Sequence, residues 1–348
     1  EEFKAEKLVI GHNQKKFSKS NSRINGKNAN IFKQIFVDQE FSVNTKQRIE
    51  LHGGSKIWAG SIVMTSDKKI DIMTGSAVIS KSNIVLKSSE ILEIWGNTKG
   101  ERINLISAGN IGIHASVDGS NIRLDSGRNA WIEDGVISNP SGKGLIDIRA
   151  KNYVVLKNGE IRGNQSVINI EGNLVSIEQK SGIYIKSDNK TNGAIGLKIN
   201  TLEGLSIQKD AQITIGGMKA LIQSDGKIKQ QGMMVGDLII NAKQGILLYD
   251  GGKIWASNID ITSDKGITTK KGSLVISSGN ITIKSNENID LWGSTKGERI
   301  NLISAKNVQI SGNTEGRNIE LNSGNITWIF EGIISNPSGK GLIDIRAE

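Results

Sequence analysis

The sequence predicts an all-β protein, an elongated repetitive β-helix, on three observations. Residues 41–151 return at residues 238–348, displaced by 197 positions without an insertion or a deletion. Residues 56–151 and 253–348 are about 60% identical, which indicates a duplicated structural module. Short apolar units also recur inside each copy. The 36% hydrophobic and 4% aromatic content suits the narrow apolar core of such a fold.

The short units recur with a regular period of about 19 residues, which is typical of a repeat architecture. The distance along the chain from one unit to the next is alternately shorter and longer, and two successive distances together make one period. The units of the second copy begin at Asn280, Asn288, Arg299, Asn307 and Asn318, and those of the first at Asn83, Ile91, Arg102, Asn110 and Asn121. Apolar residues alternate with polar ones inside each unit, which predicts strands with one buried face. The polar, glycine-containing segments 292–298 and 311–317 are predicted as turns.

Two kinds of β-helix fit this spacing of the units. Three chains can wind together into an intertwined homotrimeric, triple-stranded β-helix in which each chain gives one short strand to every layer. Alternatively, a single chain can coil into a β-solenoid of about 19 residues per turn, as in filamentous-haemagglutinin-like secreted adhesins. Strands of four or five residues with one narrow apolar side favour the trimer, and the single-chain solenoid is the alternative.

The duplication divides the chain into four segments. Residues 1–40 have no counterpart and are rich in polar and basic residues, so they are predicted as an irregular N-terminal connector. Residues 41–151 form the first β-helical module. Residues 152–237 continue with strand-like units, and residues 238–348 form the second module. The first residues resemble neither a signal peptide nor a methionine start, so we expect a piece of a longer protein.

Composition excludes several classes of function. The chain has no cysteine, which excludes disulfides, thiolate catalysis and cysteine-bound zinc. The formal net charge is +9, but lysines and arginines are scattered among 35 acidic residues. Without a basic cluster, we expect no nucleic-acid partner. No apolar run approaches the length of a membrane-spanning helix, so no membrane insertion is expected.

Residues 5–11 read AEKLVIG. This segment resembles one that recurs in tail-fibre and tail-tip proteins of phages and prophages of Gram-positive bacteria. Residues 272–293 (GSLVISSGNITIKSNENIDLWG) and 110–116 (NIGIHAS) are similar to the β-helical shafts of phage fibres and spikes. The family commonly has aspartate after the glycine, where this chain has His12.

The resemblance implies a homotrimeric structural protein of the virion tail, a shaft that supports host-cell attachment. Its expected partners are further copies of itself, other tail proteins, and host polysaccharide or teichoic acid. The alternative is a secreted, filamentous-haemagglutinin-like β-solenoid adhesin at the bacterial cell surface. A polysaccharide-degrading tail spike is the third hypothesis.

No catalytic residue is predicted. A glycosidase needs two convergent carboxyl groups. Glu133 and Asp134 are adjacent, so their side chains are expected to point in opposite directions from a strand. Asp147 and Arg149 share one strand face, as do Asp344 and Arg346 in the second copy, which predicts exposed ladders of opposite charges. We therefore expect no enzyme activity and no cofactor.

The chain's histidines and prolines carry structural predictions. His12, His52 and His114 are far apart and form no metal-binding motif, so no metal site is predicted. His114 is expected to be a surface or packing residue. Pro140 and Pro337 belong to the repeated segment NPSGKG, which is predicted as a turn outside the strand ladder.

The six tryptophans are the candidate carbohydrate contacts. They form three repeat-related pairs, Trp58 with Trp255, Trp95 with Trp292, and Trp131 with Trp328. Outward tryptophans can stack on sugar rings. The alternative, favoured by the high average burial of tryptophan, is that each fills a corner of the fold. Their exposure decides between the two.

Overall fold

The computed structural model describes residues 2–10, 16–18, 21–187 and 194–348. These residues form parallel β-strands and turns, which confirms the prediction of an all-β, repetitive β-helix. Within this part of the chain there is no helix long and apolar enough to cross a membrane. Two compact units divide at residues 172 and 173, and each is a β-solenoid.

Twenty strands begin among the described residues of the first unit. Their bounds are β1 (Glu2–Ile10), β2 (Lys16–Ser18), β3 (Ser22–Ile31), β4 (Gln34–Leu51), β5 (Lys56–Ser66), β6 (Lys69–Ile72), β7 (Ala77–Ser80), β8 (Asn83–Ser88), β9 (Ile91–Ile94), β10 (Asn97–Lys99), β11 (Arg102–Ser107), β12 (Asn110–Ile113), β13 (Ser116–Asp118), β14 (Asn121–Ser126), β15 (Ala130–Glu133), β16 (Val136–Asn139), β17 (Leu145–Ala150), β18 (Tyr153–Lys157), β19 (Glu160–Asn164) and β20 (Val167–Ile177).

Eighteen further strands begin in the described part of the second unit. Their bounds are β21 (Gly182–Lys186), β22 (Ile195–Ile207), β23 (Gln212–Ser224), β24 (Lys227–Gln230), β25 (Met233–Ala242), β26 (Ile246–Leu248), β27 (Lys253–Ala256), β28 (Ile259–Ser263), β29 (Ile267–Thr269), β30 (Leu274–Ser277), β31 (Asn280–Ser285), β32 (Ile289–Leu291), β33 (Ser294–Ser304), β34 (Val308–Ile310), β35 (Asn313–Ser323), β36 (Thr327–Ile329), β37 (Ile333–Ser335) and β38 (Ile343–Ala347).

Each regular turn contains three strands, which we assign to faces A, B and C. In the first unit, face A contains β8, β11, β14 and β17; face B contains the end of β4, β6, β9, β12, β15 and β18; and face C contains the start of β5, β7, β10, β13, β16 and β19. In the second unit, β31, the ends of β33 and β35, and β38 form face A; β32, β34 and β36 form face B; and β27, β30, the starts of β33 and β35, and β37 form face C. Asn83 pairs with Arg102, and Arg102 with Asn121, and these are the residues at which the predicted units begin. The predicted period is therefore the length of one turn of a single chain.

This register decides between the two predicted β-helices. Every turn is closed by strands of the same chain, and inward side chains such as Ile84, Ile103 and Ile122 are buried without a second chain. The architecture of the described residues is the single-chain solenoid. The association of three chains into a homotrimer stays a prediction.

Two local predictions were wrong. Residues 292–298 and 311–317, expected as turns, supply strands of face C, because β33 and β35 begin at Ser294 and Asn313. The expected irregular connector contains β3 and the start of β4, which stack in register on their neighbours. In these strands the inward positions include small or polar residues, such as Ser22 and Thr295, so the apolar alternation is weak.

The core consists of columns of aliphatic side chains, one from each turn. Leu86, Leu105 and Leu124 lie in register on face A and are fully buried. Parallel in-register stacking places each inward side chain directly on its equivalent in the next turn, about 4.8 Å away. The buried apolar surface of each turn thus depends on the turns beside it.

Serines close the corner at the end of face A. Ser88 Oγ donates to Ser107 Oγ at 3.0 Å, and Ser107 Oγ lies 3.1 Å from the carbonyl oxygen of Glu90. The backbone N–H of Gly109 donates to Ser107 Oγ at 3.2 Å. The serine hydroxyls therefore satisfy backbone groups that leave the ladder where the chain bends.

The repeated NPSGKG segment is a turn outside the ladder, as predicted. In the first copy it lengthens one turn, so Asn121 pairs with Leu145. Asn139 is buried, its Nδ2 donates to the carbonyl oxygen of Ser120 at 2.9 Å, and its Oδ1 accepts from the N–H of Ser141 at 3.2 Å. The Asn139 amide thus forms hydrogen bonds in the turn, where the backbone has left the strand ladder.

Face C contains a buried hydroxyl that leads to a stability prediction. Thr98 points inward between Val78 and Val117, and its Oγ1 has no hydrogen-bond partner among the described residues. An unpaired buried hydroxyl costs about 1–3 kcal/mol, and valine has the same shape. We expect Thr98→Val to raise the free energy of unfolding by about 1 kcal/mol in urea titrations. Thr65→Val, at an outward position, is the control and should be nearly neutral; a loss of stability in Thr98→Val would contradict the assignment.

Candidate functional site

The six tryptophans all lie outside the core. Trp58 and Trp255 point outward from face C, while Trp131 and Trp328 point outward from face B. Trp95 and Trp292 follow the last residues of two face B strands, at the corner. Five of the six are 41–57% exposed, and Trp131 is half-buried. Their partial exposure leaves ring surface accessible to a ligand, and carbohydrate contact stays a prediction.

His52 and His114, the two histidines that the structure describes, each stack on an aromatic ring. The imidazole of His114 stacks on Trp95 with centroids 3.6 Å apart and planes 5° apart. His52 stacks on Phe32 at 3.8 Å and 9°. His114 therefore packs as expected, and it covers one face of Trp95. His12 lies outside the described residues.

His114 is held in place by a carboxylate on the preceding turn. Its Nε2 lies 3.0 Å from Glu93 Oε2, and both side chains are largely buried. Gly112 lies between Glu93 and Trp131 in the outward column of face B, and a Cβ there would come within 2.3 Å of Glu93 Oε2. Glycine at this position therefore makes room for the carboxylate that orients the imidazole.

Sequence reasoning missed a ladder of acidic residues on face B. Glu50, Asp71 and Glu93 lie in register on three successive turns. Arg48 Nη1 lies 2.7 Å from Glu50, and Lys69 Nζ lies 3.0 Å from Asp71. The three acids are far apart in the chain, so only the turn lengths bring them together. Glu50 and Asp71 each have a cationic partner, an arrangement that offsets the repulsion within the ladder.

The adjacent acids Glu133 and Asp134 do not converge. Glu133 Oε1 accepts a hydrogen bond from Lys157 Nζ at 2.6 Å, and this bond lowers the pKa of Glu133. Asp134 lies in a left-handed bend with φ of 57°. The Glu133 carboxylate is thus engaged in an ion pair, and the Asp134 carboxylate belongs to the residue in the bend. Among the described residues, no three His, Asp or Glu side chains are grouped as metal ligands.

Charged side chains form ladders along the solenoid surfaces. Arg149 Nε lies 3.1 Å from Asp147 Oδ2, and the hydrogen bond raises the pKa of Arg149. Arg346 pairs with Asp344 in the same way. Asp147 itself is buried, although the sequence predicted an exposed pair, because the neighbouring strands cover it on both sides. The shallow groove of face A in the second unit has this polar character and is lined by Asn280, Arg299, Asn301, Glu320, Asp344 and Arg346.

In the second unit, Trp292 at the corner has different neighbours from those of Trp95 in the first unit. Ser311 occupies the place of His114, Gln309 that of Gly112, and Phe330 that of Glu133, as the offset of 197 requires. Gln309 Nε2 donates to Ser311 Oγ at 3.2 Å. No ring among the described residues stacks on Trp292 as His114 stacks on Trp95, so the side of Trp292 that faces the next turn lacks an aromatic cover.

Asp290, the equivalent of Glu93, carries a pH prediction. Burial raises its pKa, while Lys270 and Thr268 act in the opposite direction. A raised pKa means that ionisation costs stability, and the cost develops as pH rises through the ordinary aspartate pKa toward the folded-state value. We expect Asp290→Asn to melt higher than the parent at pH 7, with the difference vanishing below the ordinary aspartate pKa. A difference that grew at low pH would contradict the sign.

Comparison of the chain with protein-family models, with curated proteins and with solved structures finds no significant match.

Proposed function

We propose that this chain is a non-catalytic attachment scaffold, a β-solenoid that holds outward aromatic side chains against the polysaccharide of a cell surface. The observation that carries this proposal is the partial exposure of five of the six repeat-related tryptophans on the outer surface of a solenoid with an aliphatic core. A rigid platform limits the ordering cost when a sugar ring stacks on such a side chain. Several such sites on one chain would raise the overall avidity for a polymer, because binding at one site raises the effective concentration of the polymer at the next.

The single-chain core favours the secreted β-solenoid adhesin, of the filamentous-haemagglutinin-like kind, as the setting for this scaffold. The regular turns from β8 to β19 bury their core with strands of one chain, so burial of this core does not require a trimer. In this setting the protein lies at the bacterial surface or is secreted, and its partner is a surface polysaccharide.

The shaft of a phage or prophage tail fibre or tail tip is the second candidate, favoured by the resemblance of residues 5–11 to proteins of that class. It would place the chain in the virion tail as a homotrimer, with other tail proteins and host polysaccharide or teichoic acid as partners. Its three solenoids would associate through their outer faces.

Mass in solution separates these two settings. The adhesin proposal expects a monomer of 37.6 kDa by light scattering across a tenfold range of concentrations. A stable threefold mass would overturn the monomeric adhesin and support the phage shaft.

Binding to purified cell-wall polysaccharide tests the scaffold itself. The net charge of +9 attracts anionic polymers without specificity, and salt screens this attraction. We expect binding of a neutral polysaccharide to persist at high salt, and binding of teichoic acid to weaken. An absence of binding to every neutral polymer at any salt concentration would overturn the proposal.

A further inference from the structure

A groove crosses three turns of the second unit, where the chain enters face B. It lies over β24, β26 and β29, which pair in register, and it has a volume of about 660 Å³. Its lining residues all lie between Lys227 and Glu287, within one unit. Sites for small ligands commonly have volumes of about 300–1,000 Å³. The groove therefore has the size of a site for a small ligand or a short stretch of polymer.

Two glycines on neighbouring turns form the floor of this groove. The N–H of Ile228 donates to the carbonyl oxygen of Gly245 at 3.1 Å, and the N–H of Ile246 donates to that of Gly266 at 3.1 Å. Gly245 and Gly266 therefore stack in register, about 4.8 Å apart. Because neither residue has a side chain, this glycine floor lets a ligand approach the backbone closely.

The first unit has a groove at the equivalent place, of about 540 Å³, and there the chain lines it with charge pairs. Arg48 and Lys69 occupy the positions of the two glycines. Arg48 Nη1 lies 2.7 Å from Glu50 Oε1, and Lys69 Nζ lies 3.0 Å from Asp71 Oδ1. The charges at this place in the first unit thus neutralise one another. The backbone there also accommodates long side chains.

Two lysines of the second-unit groove have no carboxylate partner. Lys227 and Lys229 point outward from β24 at alternate positions, about 7 Å apart along the strand. Neither forms an ion pair within the described part of the chain, whereas Lys265 Nζ lies 3.1 Å from Glu287 Oε1. Lys306 Nζ lies 3.8 Å from the same oxygen, so two cations offset the charge of Glu287. The groove therefore offers two free ammonium groups to an anion.

Apolar and polar side chains border these lysines. Leu247 follows Lys229 in the outward column of face B, and Tyr249, which is 36% exposed, lines the groove just beyond the same strand. Gln244 adds an exposed amide. The apolar face of a sugar ring packs on such side chains, while amide and phenol groups bond its hydroxyls. Anion contacts and ring contacts in one groove suit an acidic sugar.

We propose that this groove binds an acidic sugar unit of a polysaccharide, with its carboxylate bonded to Lys227 and Lys229 and its ring against Leu247 and Tyr249. The inference goes beyond the attachment function proposed above, because it concerns a charged ligand and residues other than the tryptophans. A failure of neutral polysaccharides to bind would overturn the attachment proposal and leave this one standing.

Removal of both free charges tests the groove. The probes are short oligomers of galacturonate, mannuronate and hyaluronan, measured by calorimetry at physiological ionic strength, where charges are screened beyond about 8 Å. We expect Lys227→Gln combined with Lys229→Gln to weaken binding of the recognised oligomer about tenfold or more, because both bonds to its carboxylate are charge-assisted.

The matched control is Lys253→Gln combined with Lys284→Gln, which changes the net charge equally. These two exposed lysines lie on faces C and A of the same unit, outside the groove. We expect their replacement to change the affinity by less than about twofold. Equal weakening in the two double variants would show that net charge alone attracts the ligand, and it would overturn the proposal.

Gly266→Gln tests the shape of the groove without changing its charge. Gly266 does not have a left-handed φ, and its added Cβ would lie 3.5 Å from the carbonyl oxygen of Asn288, an ordinary contact. Lys69 shows that the equivalent position accommodates a long side chain. We expect the filled groove to bind about tenfold more weakly. Thermal melting confirms that each variant keeps its fold, and full affinity in a folded Gly266→Gln would contradict the assigned site.

Two further probes separate the sugar from its charge. The methyl ester of the recognised oligomer keeps the ring and loses the charge, whereas polyphosphate has charge without a ring. We expect each to bind about tenfold more weakly than the acidic oligomer, since each lacks one set of contacts. Equal binding of the ester would remove the role of the lysines, and equal binding of polyphosphate would remove the role of the ring. Either result overturns the proposal, as does a parent protein that binds none of the three oligomers.

Discussion

Replacing Leu105 with alanine is expected to lower the free energy of unfolding by about 2–5 kcal/mol, measured by urea titration. Leu105 is fully buried on face A, between Leu86 and Leu124 of the neighbouring turns. Backbone hydrogen bonds hold those turns in register, so the cavity can collapse only a little. The loss therefore includes both the lost burial of the side chain and the cavity that remains.

Ile106→Ala is the matched control. Ile106 follows Leu105 in the same strand but points outward and is half-buried. Its truncation should cost well under the loss for Leu105, within about 1 kcal/mol. Equal losses for the two variants would contradict the assigned alternation of inward and outward residues.

Gly144→Ala is expected to cost about 3 kcal/mol or more. Gly144 ends the NPSGKG turn with φ of 152°, a conformation that other residues rarely adopt. An added Cβ would lie 1.9 Å from the carbonyl oxygen of Ser120 and 2.7 Å from Asn139 Nδ2. It would therefore break the hydrogen bond by which Asn139 anchors the turn. The midpoint of urea unfolding measures the loss.

Gly54→Ala separates the strain of the backbone from the steric clash. Gly54 has φ of 82°, and its added Cβ would meet no atom within 4 Å. Only the left-handed conformation is penalised there, at about 1–2 kcal/mol. A loss in Gly54→Ala as large as that in Gly144→Ala would show that contact with Ser120 contributes little.

The outward tryptophans show how far the candidate site could be predicted. Their residue type and their recurrence at an offset of 197 identify them as candidate carbohydrate contacts from the sequence alone. Their surroundings could not be predicted, because a ring can be covered by a residue one turn away. His114 covers one face of Trp95 from the next turn of the solenoid, whereas Ser311 leaves the equivalent face of Trp292 without such a stack.

The sequence by itself determined the β-helix, the length of its turn, and the inward direction of residues such as Ile281 and Ile283, because strand alternation is a local property. The tertiary structure decided that one chain closes each turn, since identical strands can pair within a chain or between chains. It also revealed the strands of face C, which the alternation of apolar and polar residues does not indicate because their inward residues include Thr98 and Thr295. Finally, it decided which side chains share a column, because the register between turns depends on the length of every intervening corner.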